Sequence, residues 1–190
     1  MTKNLDKEGL SSIVDNYQLF YVDLWGVVHN GVTLHNEAIK ALKEITKKKK
    51  DYILLTNAPR PNYSVKSFLE KLGMDKEIRD HVFTSGQASL NYLKKNQSTQ
   101  KFFHIGPPRD FDLFNDFIKM KSDNIYESDY ILCTGLFEKF DNNLNYYKNL
   151  FKENIEKKMI CTNPDLIVDR GNKRELCAGS VAMVFEKMGG

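Results

Sequence analysis

The sequence predicts an α/β fold with parallel strands and covering helices, arranged as two α/β units in series. Three observations predict it. Short apolar runs alternate with amphipathic stretches along the whole chain. The first two runs close on a polar residue, at Asp23 and Thr56. The alternation then resumes after a polar break at Asn96–Gln100, as a second series would. A length of 190 residues suits one domain, or one with a modest second.

Leu19-Phe20-Tyr21-Val22 is the first strand, ending at Asp23. A helix is expected from about Glu37 to Lys49, with Ala38, Ile39, Leu42 and Ile45 on one stripe. Tyr52–Thr56 is the next strand, and Pro59 and Pro61 after it forbid an immediate helix. Val65, Phe68, Leu69 and Leu72 mark a second helix, with Gly73 as its C′ residue. Val82–Thr84 reads as a short strand and Ser85-Gly86 as the opening of a helix through Leu93. Further on, strands are expected at Lys101–Ile105, Tyr130–Thr134 and Met159–Thr162. Helices are expected at Asp110–Lys119, Asn142–Lys157 and Gly179–Met188. Phe102, Phe103, Phe111, Phe114 and Phe117 are assigned to the core of the second unit.

Composition excludes several classes. Hydrophobic residues at 41% and charged residues at 28% are globular values. No run of about 18 apolar residues exists, so no bilayer span is expected. Acidic residues in MTKNLDKEGL argue against a secretory h-region, which makes the cytoplasm the expected compartment. A net charge of +3 over 28 basic and 25 acidic groups gives no nucleic-acid footprint. Lys47–Lys50, the one basic run, sits where a helix end welcomes cations. Cys133, Cys161 and Cys177 are odd in number and lack CxxC spacing, which argues for free thiols rather than a disulfide framework or structural zinc.

The chemistry concentrates in Phe20-Tyr21-Val22-Asp23-Leu24-Trp25-Gly26-Val27-Val28-His29-Asn30-Gly31. In open α/β sheets ligands bind just beyond the carboxyl ends of strands, and Asp23 is delivered there. Thr56-Asn57 ends the second strand with a hydroxyl and a backbone N–H suited to a phosphoryl oxygen. A right-handed crossover between neighbouring parallel strands brings both to one edge. No GxGxxG follows the first strand, which disfavours a dinucleotide-binding domain.

These residues resemble the haloacid dehalogenase-like hydrolases, most closely their subfamily IIA branch of NagD-like and 4-nitrophenylphosphatase-like enzymes. The resemblance rests on Asp23-Leu24-Trp25-Gly26-Val27-Val28 with Asn30-Gly31, on Thr56-Asn57, and on Thr84-Ser85-Gly86. Thr162-Asn163-Pro164-Asp165 and Cys177-Ala178-Gly179-Ser180 follow in the same order. It covers Phe20 to Gly190. It implies a partial Rossmann-like core, residues 1–85, carrying a large α/β cap, residues 86–190. It also implies phosphoric monoester hydrolysis of a small phosphorylated metabolite. Asp23 matches the nucleophile that forms an aspartyl-phosphate, and Thr56 and Asn57 the phosphate-binding pair. Mg²⁺ is the implied cofactor, held by Asp23 and the main-chain carbonyl of Trp25. Asn163 and Asp165 are candidates for reading substrate, or alternatively for a plain Asx-Pro turn. Gly179-Ser180 at the start of the last helix either presents N–H groups to an anion or, as the favoured reading, has Ser180 as an ordinary N-cap.

The sequence departs from that pattern twice. Most relatives carry a second Asp two residues after the nucleophile as general acid and base, and here Trp25 stands instead. Indole has one N–H donor and no proton to exchange near neutral pH. His29 is a weak substitute, since a lone loop histidine is commonly a packing residue. The pattern also expects a phosphate-binding Lys and an acidic metal motif after the cap, and the sequence reaches Gly190 without them. The expectation is therefore an N-terminal part of a longer protein, or one completed by another copy as a homo-oligomer. An impaired phosphatase and a non-catalytic phospho-ligand-binding or assembly module are the competing functions.

Overall fold

The structure is a computed structural model and describes residues 5, 9–170 and 173–190. Its first sheet has three parallel strands in the order β1-β2-β3, namely Leu19–Asp23, Asp51–Thr56 and Val82–Thr84. Helix α1, Asn36–Lys47, links β1 to β2. Helices α2, Asn62–Lys71, and α3, Lys76–Arg79, link β2 to β3. Leu42 and Ile45 of α1 are buried and Ala38 and Ile39 half-buried, as the 3.6-residue stripe requires. They join Val65 and Leu69 of α2 over Tyr52, Leu54 and Val82 of the sheet. Gly73 follows the end of α2, as expected.

Helix α4, Ser85–Asn96, starts directly from β3. The Thr84 hydroxyl caps it, accepting from the Gln87 N–H at 2.8 Å while donating to the Arg60 carbonyl at 2.6 Å. The second sheet is parallel, in the order β5-β4-β6-β7. Its strands are Phe102–Ile105 (β4), Lys121–Ser122 (β5), Tyr130–Cys133 (β6) and Lys158–Cys161 (β7). Helices α5, Leu144–Phe151, and α6, Ala178–Lys187, cover one face through Tyr147, Phe151, Val181 and Phe185. Leu90 and Leu93 of α4, with Leu113 and Phe114, cover the other. Every residue of β6 is buried, as a central strand between two covered faces must be. Cys133 and Cys177 are buried and Cys161 half-buried, all as free thiols.

Three expectations need correction. Residues Pro108–Met120 form 3₁₀ turns, with Phe114 and Phe117 outside helical geometry, rather than an α-helix from Asp110 to Lys119. A 3₁₀ turn aligns side chains at i and i+3, which matches the spacing of Phe111, Phe114 and Phe117. Their rings reach Phe102 and His104 at centroid distances of 4.8 to 5.8 Å. Helix α5 stops at Phe151, short of Lys157. There the Asn154 amide donates to the Leu150 carbonyl at 3.1 Å, the acceptor that a continuing helix would give to the Asn154 backbone. A two-stranded antiparallel hairpin, β8 (Ile167–Arg170) with β9 (Lys173–Leu176), occupies a stretch in which no element was expected.

His104 is buried under Phe111 and Phe114, with Nε2 bonded to the Thr134 hydroxyl at 2.8 Å. Burial, aided by the Lys121 charge, pulls its pKa down to about 3. The unfolded chain therefore binds this proton first as pH falls. The stability linked to His104 is complete above about pH 6.5 and is lost progressively towards pH 3. Urea unfolding at stepped pH should show that decline in the native protein and a flatter profile in His104→Gln.

Candidate functional site

β1 and β2 are parallel and in register, with Asp23 opposite Leu55. Asp23 and Thr56 thus leave the sheet at the same carboxyl edge. Asp23 is exposed, and its Oδ1 accepts the Leu24 N–H at 2.8 Å. The Thr56 hydroxyl accepts the Ala58 N–H at 3.3 Å, which leaves its proton free to point at a ligand.

The loop after β1 is tightly built. Gly26, at φ 78°, donates to the His29 carbonyl at 2.8 Å, a bend that favours glycine. The Asn30 side chain accepts from the Val32 and Thr33 N–H groups at 2.9 and 2.8 Å. Gly31, at φ 88°, lies against the Trp25 indole, where a Cβ would stand 2.7 Å from a ring carbon. The indole of Trp25 also meets His29 edge-on, at a centroid distance of 5.4 Å.

His29 is a packing residue. It is buried, lies against Phe68, and accepts the Gly31 N–H on Nδ1 at 3.0 Å. Burial, then the nearby His35, lowers its pKa, and Asp23 only partly opposes them. A neutral imidazole with its acceptor already committed is a poor stand-in for a proton-relaying carboxylate.

The carboxyl edge of the second sheet turns towards the same place. The Asn57 amide donates to Asp165 at 2.9 Å, joining the loops after β2 and β7. Within its own loop, Asp165 N–H is held by the Asn163 side chain at 2.9 Å. The Asx-turn alternative for Asn163-Pro164-Asp165 is present, and the Asp165 carboxylate is bonded to the Asn57 side chain. Arg60 pairs with the buried Asp110 at 3.3 Å, a tie that sequence inspection missed. Burial raises the Asp110 pKa, against the lowering effect of Arg60. Tyr63 donates to the Asp112 carbonyl at 3.1 Å, and Ser64 to the Asp112 carboxylate. Trp25 Nε1 donates to the Asp169 carbonyl of β8 at 3.3 Å, so the hairpin rests over the loop after Asp23.

Ser180 does not cap α6. Cys177 holds the N-cap position, and Ser180 Oγ donates to the Leu166 carbonyl at 2.6 Å. The Gly179 N–H is spent on the Asp165 carbonyl at 3.1 Å, so this helix start closes the Asp165 loop. Among the described residues no three His, Cys, Asp or Glu side chains cluster as a metal cage, and no helix is long and apolar enough to cross a membrane.

Two parallel α/β sheets whose carboxyl-edge loops meet through Asn57–Asp165 and Arg60–Asp110, with Asp23 at the end of the first strand, define a Rossmann-type α/β protein. The sequence profile of the haloacid dehalogenase-like hydrolases matches residues 20–117. The chain belongs to that family. No curated protein matched the sequence. Among solved structures, a haloacid dehalogenase-like hydrolase from Brucella suis 1330 is 32% identical, with a TM-score of 0.84 over 95% of this chain and 66% of that one. The 4-nitrophenylphosphatase of Thermotoga maritima is 20% identical (TM-score 0.70), over 92% of this chain and 66% of its own. NagD from E. coli K-12 is 19% identical (TM-score 0.61), over 90% and 65%. These are the NagD-like and 4-nitrophenylphosphatase-like relatives that the motifs resemble. The chain spans about two thirds of the length of the structures it matches.

Gly31→Ala tests the packing of this edge. The added methyl meets the indole and must adopt a backbone that L residues avoid, so a loss of about 1–3 kcal/mol is expected in urea unfolding. Gly31→Ala combined with Trp25→Ala should recover the steric part of that loss.

Proposed function

We propose that the chain carries the phosphoryl-binding half of a phosphoric monoester hydrolase acting on a small phosphorylated metabolite. One observation carries the reading: the register that sets Asp23 beside Leu55-Thr56-Asn57 on an open carboxyl edge. The Asp23 oxygen not bonded to Leu24 attacks phosphorus, the bond to the leaving oxygen breaks, and water later releases phosphate from the aspartyl-phosphate. The Thr56 hydroxyl and the Asn57 N–H hold the transferring oxygens. Asn163 and Asp165, across the cleft, contact the remainder of the substrate.

Mg²⁺ is held by one or two carboxylates together with waters and substrate phosphate oxygens. The Asp23 carboxylate and the Trp25 carbonyl are hard oxygen donors of that kind, so the residues fit the ion. Bound there, it would neutralise charge on the phosphoryl group.

Trp25 defines the limits of the chemistry. A positioned general acid contributes about 10²–10⁴-fold, and position 25 supplies none. Nitrophenolate leaves without protonation, whereas an alkoxide does not. Turnover of 4-nitrophenyl phosphate with Mg²⁺ should therefore exceed that of an alkyl phosphate and disappear in Asp23→Asn. Trp25→Asp should raise kcat on the alkyl ester by about 10²-fold or more. Activity surviving Asp23→Asn would remove the nucleophile. Calorimetric binding of orthophosphate or tungstate without turnover would instead favour a phospho-ligand-binding module, the reading that Trp25 makes the alternative.

A further inference from the structure

Cys133 and Cys161 stand side by side in the second sheet. They are register partners at the carboxyl ends of β6 and β7. Paired positions of a parallel ladder project from the same face, and both side chains pack in the cluster with Tyr147, Val181 and Phe185. Neighbouring strands lie about 4.8 Å apart, within the Cα separation of roughly 4.4–6.8 Å that a disulfide spans. Cys177, at the start of α6, lies on neither strand. The two strand thiols differ in setting. Cys133 is fully buried, whereas Cys161 is half-buried and lines a groove with Met159, Pro164 and Met183. Hydrogen bonding from Cys133 holds the Cys161 thiol below its ordinary range, against the opposing effect of burial. The same interaction, and then burial, holds the Cys133 thiol well above that range.

We propose that Cys133 and Cys161 form a modification site, a dithiol that a hydroperoxide converts to a cross-strand disulfide within the chain. Cys161 attacks first, being the more acidic and the more accessible of the two. Its thiolate bonds to the terminal oxygen of the hydroperoxide and the O–O bond breaks. The departing oxyanion takes up the proton that Cys161 released, and Cys161 is left as a sulfenic acid. The Cys133 sulfur then attacks the Cys161 sulfur and the S–O bond breaks. Hydroxide leaves as water with the Cys133 proton. Two thiols have lost two electrons and two protons, and the hydroperoxide has become an alcohol and a water. The bond has a local consequence. Cys161 Sγ donates to the Asn163 carbonyl at 3.2 Å, and oxidation removes that donor at the root of the loop carrying Asp165. The proposal stands apart from the phosphatase reading, since no step uses Asp23 or a phosphate.

The test treats the reduced, folded chain with hydrogen peroxide, quenches with catalase, alkylates the remaining thiols in denaturant and maps peptides without reduction. A Cys133–Cys161 link within one chain is expected, lighter than the two free peptides by two hydrogens and reversed by dithiothreitol. The Cys161 thiol should be consumed at least tenfold faster than that of Cys177. Cys177→Ser should form the link at the rate of the unsubstituted chain. Cys133→Ala should halt at the sulfenic acid, which dimedone traps on Cys161. The map of the unsubstituted chain decides the question even if a variant fails to fold. A link through Cys177, a link between two chains, or three free thiols under conditions that oxidise glutathione would overturn the proposal.

Discussion

The parallel register of β1 on β2 is the constraint from which the other features follow. Side chains alternate across a strand, so register decides at once which residues enter the core and which line the carboxyl edge. With Val22 opposite Leu54, the even-numbered residues of both strands turn towards α1 and α2. The same pairing leaves Asp23 opposite Leu55 at the point where the chain leaves the sheet. A slip of one residue would bury the carboxylate of Asp23 among leucines and expose Val22. The cost of an unpaired buried charge is large enough to forbid it. Hydrophobic patterning of two short strands therefore fixes the position of the Asp23 carboxylate.

The second parallel sheet meets the first through its carboxyl-edge loops. Its loops after β4 and β7 reach the loops after β2 through Arg60–Asp110 and Asn57–Asp165. These ties differ in character. The Asn57–Asp165 bond is solvent-exposed and contributes little to stability, so it serves to place Asp165. The Asp110 carboxylate is buried, and losing Arg60 would leave it only Thr134 and Arg109 as compensation, so that pair helps fix how the segment after β4 sits.

Much of this was legible in the sequence. The strands ending at Asp23 and Thr56 announced themselves as apolar runs closed by polar residues, and the stripe of α1 by its 3.6-residue spacing. The pairing of the two carboxyl edges was not legible, because Arg60 lies in a loop, Asp110 in a 3₁₀ turn, and their partnership depends on tertiary placement. The 3₁₀ turns of residues 108–120 were misread because aromatic spacing of three mimics one face of an α-helix over a short window. The β8–β9 hairpin was missed because its strands are four residues long and largely charged. The Gly171-Asn172 pair between them was the available turn signal. Ser180 was assigned as a cap by residue type alone, whereas the Leu166 carbonyl claims its hydroxyl.

Position 25 shows how one residue changes what an edge can do while preserving its shape. A carboxylate there could exchange a proton with a leaving group; an indole can only donate its N–H. That donor goes to the Asp169 carbonyl, and the ring fills the space that Gly31 leaves open beside His29. Trp25 therefore gives up proton transfer and gains a tie between the loop after the aspartate and the β8–β9 hairpin above it. The backbone of that loop is indifferent to the exchange, since its turns are set by Gly26, Asn30 and Gly31. The proposed binding of a phosphoryl group would draw on Thr56, the Asn57 N–H and that backbone, none of which uses the side chain at position 25. On the proposed reading, affinity for phosphate and the rate of ester cleavage are separable properties, and the side chain at position 25 bears on the second alone.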